Sequence, residues 1–125
     1  MTHLVAVGGS DAGISAALRA REFDPDVDVT VVVADQYPNY SICGIPYYFS
    51  GDVQPWQSLA HCTHADLEAT GMRLRLNTLA TGIDVAARRL TVTDHDGPTT
   101  IDYDELVVGT GALPSFAGIA GMDRL

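Results

Sequence analysis

The chain has 125 residues, room for one domain with a modest core and too little for two. Hydrophobic residues make up 46%, and no apolar run approaches the roughly 18 residues of a membrane span, which excludes a disordered tail and a helical membrane anchor. The formal charge is −9 and every basic side chain other than histidine is an arginine, none of them clustered, so nucleic acid and anionic membrane are excluded as partners.

Residues 4–7, Leu-Val-Ala-Val, form a short apolar run ended by Gly8 and Gly9, which suits a buried parallel strand. Residues 12–23 are rich in Ala, Leu and Arg, with Ile14, Ala17, Leu18 and Arg21 spaced along one helical face. Asp24-Pro25-Asp26 breaks that helix, and the β-branched run 27–33 predicts a second buried strand. Strand, glycine turn, helix and strand make a right-handed βαβ unit.

Residues 37–51 carry Tyr, Pro, Ser and Gly, the composition of a functional loop with a short helix. Thr63 and Asp66 form a capping-box pattern that opens a helix closed by Gly71. Residues 72–76 predict a strand. Residues 79–83, 89–93 and 99–103 predict a β-meander, with Asp96-Gly97 as a hairpin turn. Residues 106–108 predict a last buried strand running into Gly109-Thr110-Gly111.

Gly8-Gly9-Ser10-Asp11-Ala12-Gly13 matches the dinucleotide fingerprint G-x-G-x-x-G except that Ser10 takes the second glycine's place. Gly8 permits the tight turn, Gly13 lets helix and strand pack closely, and the helix N-terminus offers free N–H groups to a pyrophosphate. The fingerprint also expects an acidic residue about 20 positions on, for a ribose hydroxyl. That position is Val33; either Asp35 reaches back to the ribose, or backbone groups of Val33 and Ala34 hold it.

The stretch Asn39-Tyr40-Ser41-Ile42-Cys43-Gly44-Ile45-Pro46-Tyr47-Tyr48 resembles the active-site segment of the pyridine nucleotide-disulfide oxidoreductase superfamily. It is most similar to the single-cysteine branch of coenzyme A disulfide reductases, persulfide reductases, NADH oxidases and NADH peroxidases, whose members carry Cys-Gly-x-Pro-Tyr behind the glycine fingerprint. Residues 103–114 resemble the family's second flavin-contact motif, here written Gly109-Thr110-Gly111. The resemblance implies an α/β, Rossmann-like FAD-binding domain: a parallel sheet with a βαβ start and an inserted β-meander. It implies FAD as cofactor, held by residues 8–13, 33–35, Ser41, Ala80 and 109–111, and NAD(P)H as electron donor in the whole protein.

The same resemblance makes Cys43 the catalytic residue, against the flavin ring. A thiol acts only as its thiolate, and Pro46 marks the first turn of a helix whose dipole would favour the anion. Glutathione reductase-type enzymes use Cys-x-x-x-x-Cys, but the fifth position after Cys43 is Tyr48, so the partner is a small-molecule thiol or disulfide, a persulfide or an oxygen species. Ser15, Arg19, Asn39 and Tyr47 fall where the branch binds substrate. Coenzyme A disulfide reductases commonly read Ser-x-x-Asn-Cys; here Asn39 and Ile42 stand in those places, and Glu22 replaces a frequent Arg. His61, Cys62 and His64 do not have a standard zinc spacing, so no metal site is expected.

Family members run to several hundred residues, which implies that residues 1–125 are the N-terminal portion of the FAD-binding domain. The NAD(P)H-binding and dimerisation domains then lie outside this sequence, the whole protein is a homodimer, and the isolated chain has little turnover. The N-terminus lacks the basic region of a signal peptide and two cysteines cannot make a disulfide framework, so a cytoplasmic protein is expected. Residues 1–35 alone would also suit an NAD(P)-binding dehydrogenase domain, and a non-catalytic flavin-binding module would leave Cys43 idle.

Overall fold

A computed structural model describes residues 1–113 and 115–124. Four strands form a parallel sheet in the order β3-β2-β1-β7: β1 is His3–Val7, β2 Asp28–Val32, β3 Arg73–Arg75 and β7 Glu105–Val108. Helix α1, Asp11–Phe23, crosses from β1 to β2. Three antiparallel strands, β4 (Leu79–Asp84), β5 (Arg89–Asp94) and β6 (Gly97–Asp102), make the meander. The α/β class, the parallel sheet and the inserted meander are as the sequence predicts.

The alternation of side chains across a strand divides the core in two. Ala6, Val29, Val31 and Val33 face one way and pack with Ile14 and Ala17 of α1 and with Leu67 and Met72. Val5, Val7 and Val32 face the other way and meet Leu90, Val92 and Tyr103 of the meander. Helices, parallel sheet and meander are therefore three layers. Arg21, placed on the inward face of α1, does not bury its charge in the apolar layer. It reaches past it to donate to the carbonyls of Val27 and Thr70 at 2.7 and 2.9 Å.

Two short helices follow β2: α2, Ile45–Ser50, and α3, His64–Ala69. A 3₁₀ turn at Trp56–Leu59, not foreseen from the sequence, lies between them. The capping box of α3 forms with Asp in the Glu place: Asp66 N–H donates to Thr63 Oγ1 at 3.1 Å, and Thr63 N–H donates back to Asp66 at 2.9 Å. The second bond holds the Asp66 carboxyl below its ordinary range. The β5–β6 hairpin turns one residue earlier than predicted, since Asp94 pairs with Gly97 and leaves His95-Asp96 at its tip. Among the described residues no helix is long and apolar enough to cross a membrane.

Candidate functional site: a dinucleotide cleft across the strand tips

The chain leaves β1 through Gly8, whose φ of +116° is open to glycine but strained for other residues. Its N–H donates to Val32 O at 2.9 Å, pinning the turn to the neighbouring strand. A Cβ on Gly8 would strike the Gly109 carbonyl, and one on Gly13 would strike the Gly8 carbonyl. These glycines let β1, α1 and the exit of β7 converge on one point. The first intrahelical bond of α1 runs from Ile14 N–H to Ser10 O, and the Ser10 side chain caps nothing. The N–H groups of Asp11, Ala12 and Gly13 thus lie ahead of the helical ladder, at the positive end of a 13-residue helix.

A cleft of about 1030 Å³ opens over this turn. It is at the top of the roughly 300–1,000 Å³ range of small-molecule sites, as an extended dinucleotide needs. Of the residues expected to hold the cofactor, Gly8, Gly9, Ser10, Ala34, Asp35 and Ala80 line it, as do Val33, Thr110 and Gly111. Asp11, Ala12, Gly13 and Gly109 are not among the lining residues; the first three open α1 and Gly109 follows β7, at the edge of the cleft. Ser41 is also outside the lining; its Oγ accepts from Gly44 N–H at 3.1 Å and braces the turn that carries Cys43.

The groups offered for the ribose differ in what already engages them. Val33 N–H donates to Arg75 O and Val33 O accepts from Thr78 N–H, both at 2.9 Å, so its backbone is committed to the sheet. Its side chain covers Gly9, where a Cβ would sit 2.6 Å from Val33 Cγ1. Asp35 is exposed in the cleft, and only its Oδ1 is used, accepting from Gln36 and Tyr37 N–H at 2.6 and 3.3 Å. Oδ2 is directed to no protein donor among the described residues.

Cys43 is an exposed free thiol, one residue before Gly44, the N-cap of α2. Ile42 beside it lines the cleft. The other cysteine, Cys62, is half-buried and packs against the helix-side core. The residues expected near substrate are placed apart from the cleft lining. Asn39 is 5% exposed, and its backbone ties the loop, donating N–H to Gly9 O at 2.6 Å and accepting from His61 N–H at 3.0 Å. Arg19 pairs with Glu22 at 2.9 Å and lies over the Phe23 ring. Ser15 and Tyr47 are exposed, on α1 and α2.

Two features escaped the sequence reading. Tyr37, Tyr40 and Trp56 meet as an aromatic corner on the cleft wall, with centroids 5.3 to 5.8 Å apart. Among the described lining residues none is cationic, and Asp35 is the one carboxylate. A separate group at the β5–β6 turn, Asp94, His95 and Asp96, brings donor atoms within 4.8 Å, but Asp94 is engaged with Arg75 at 3.1 Å.

A glycine turn feeding a helix N-terminus, under a cleft across parallel strand tips, defines a dinucleotide-binding α/β domain. More specifically, the chain belongs to the pyridine nucleotide-disulphide oxidoreductase family, whose model matches residues 2–125. It is 35% identical over 121 residues to a CoA-dependent NAD(P)H sulfur oxidoreductase of Pyrococcus abyssi, covering 96% of this chain and 26% of that protein. The structure of an NAD-dependent persulfide reductase from A. fulgidus superposes with a TM-score of 0.87 at 33% identity, over 91% of this chain and 22% of that one. A water-forming NADH oxidase from Lactobacillus brevis gives 0.88 at 30%, over 98% and 28%. The chain thus spans about a quarter of the length of these relatives.

Proposed function

We propose that residues 1–125 form the N-terminal portion of the FAD-binding domain of a cytoplasmic, homodimeric NAD(P)H-dependent oxidoreductase that reduces a small-molecule disulfide or persulfide at Cys43. The observation that carries this reading is the exposed Cys43 thiol on a loop tied through Asn39 to the glycine turn, with Cys62 packed against the core. The exchanging sulfur then comes from solution. The sulfur-reducing relatives, at 35% and 33% identity, support the substrate class.

The residues fit FAD. Backbone N–H groups at residues 11–13 would receive the pyrophosphate at the helix N-terminus. Asp35 Oδ2 and the Ala34 amide would hold the adenosine ribose. When bound, FAD supplies the electron pair, drawn from NAD(P)H. Cys43 as thiolate displaces one sulfur of the substrate, forming a mixed disulfide and releasing one thiolate. Two electrons and one proton then restore the Cys43 thiolate and release the second thiol.

Mass spectrometry of the protein as isolated, with and without a thiol reductant, tests this. A reducible sulfur adduct on Cys43 is expected, absent from Cys43→Ser. A sulfenic acid there would transfer the reading to oxygen, as in the water-forming relative. An unmodified thiol inert to disulfides would refute the role of Cys43.

A further inference from the structure

We propose that Tyr37, Tyr40 and Trp56 are the stacking wall for the adenine ring of the dinucleotide in the cleft, a step that rests on the dinucleotide reading above. The three rings are held in fixed mutual orientation. Tyr37 stands edge-on to both others, at 68° and 82°, while Tyr40 and Trp56 are only 33° apart. None of them belongs to either core cluster. Tyr37 keeps 46% and Trp56 37% of its surface exposed while lining the cleft. Aromatic surface left open on a cavity wall is what a stacked planar ligand covers.

The corner is also built at a fixed offset from the phosphate turn. Asn39 N–H binds Gly9 O, Ser41 N–H binds Leu59 O at 2.8 Å, and His61 N–H binds Asn39 O. These bonds fasten the loop of Tyr37 and Tyr40 to the glycine turn on one side and to the 3₁₀ turn of Trp56 on the other. A phosphate at the turn and a ring at the corner therefore belong to one ligand.

Sheet order says which ring. β2 and β3 lie to one side of β1, and β7 to the other. Tyr37 leaves the β2 tip two residues beyond Asp35, whose carboxylate accepts its N–H. The corner thus sits on the side of the carboxylate suited to the adenosine ribose. The missing cations give stacking its weight: with no cationic side chain among the described lining residues, affinity falls on backbone amides and on aromatic contact.

Trp56 is the only tryptophan, so its emission reports on this corner alone. The test titrates the chain with ADP and, separately, with FMN, following Trp56 emission, while calorimetry gives each affinity. Saturable quenching by ADP, absent with FMN, is expected. Tyr37→Ala should weaken ADP binding about 5- to 100-fold, the loss of one stacked base, and Trp56→Phe should restore most of what Trp56→Ala loses. Quenching by FMN but not ADP, or ADP binding that leaves Trp56 emission and the Tyr37→Ala affinity unchanged, would overturn the wall while leaving FAD binding intact. Failure of ADP, FMN and FAD alike to bind would overturn the dinucleotide reading and the wall with it.

Discussion

Replacing Gly8 by alanine isolates the contact on which the cleft is built. Two costs add. The φ of +116° is left-handed backbone, worth about 1–2 kcal/mol to any residue with a Cβ. The new Cβ would also strike the Gly109 carbonyl oxygen, with Gly109 C at 2.6 Å and Thr110 N at 3.2 Å. All three are backbone atoms and cannot rotate away, so the exit of β7 must shift, at about 1–3 kcal/mol for overpacking. Gly97 supplies the control: its φ is +104°, and a Cβ there meets nothing within 4 Å. Gly97→Ala should therefore show the backbone cost alone. Gly8→Ala should cost about 2–5 kcal/mol in all, a drop in melting temperature on the order of 10–20 °C for a chain of this size. Urea unfolding of the two variants and the parent, with unchanged slope, gives the comparison directly. If Gly8→Ala proves no more costly than Gly97→Ala, the close approach of β1 and the β7 exit is wrong, and the floor of the cleft with it.

Other consequences are checked more simply. Leu67 is fully buried between α3 and the sheet, so Leu67→Ala should cost about 2–5 kcal/mol in urea unfolding. Asp66 is held below its ordinary value of 3.8 first by the Thr63 backbone N–H and then by its hydroxyl. The folded state therefore binds this proton more weakly than the unfolded one. The stability gained is present above that ordinary value and lost as pH falls through the lower folded one, and Asp66→Asn should flatten this acid limb. Ser10→Asp places a carboxylate at the phosphate end of the cleft and should weaken FAD binding by at least about fivefold, since like charges at about 4 Å repel by roughly 1–4 kcal/mol. An unchanged affinity would move the pyrophosphate elsewhere.

The sequence made the βαβ unit legible because strand, glycine turn and amphipathic helix each carry a local pattern with its own period. Gly8 and Gly13 could be marked as essential, but not for which contact. Only the fold shows that each makes room for a carbonyl of a neighbouring segment, and that Gly9 makes room for Val33. Val33 itself was ambiguous because a strand end offers backbone groups until a partner takes them. The partners, Arg75 and Thr78, lie more than forty residues on. The aromatic corner was illegible for the same reason: Trp56 meets Tyr37 across a helix and a turn, with no repeat to announce it. Asn39 reads as a polar loop residue suited to substrate; that its backbone, at a φ of 63°, also ties the loop through two hydrogen bonds has no local signal in the sequence.

The central claim is that the strand-tip cleft holds FAD. Equilibrium dialysis of the purified chain against FAD measures this without reference to turnover. The account predicts saturable binding of one flavin per chain, retained in Cys43→Ser and lost or strongly weakened in Ser10→Asp. Absence of saturable binding, or binding indifferent to Ser10, would contradict it.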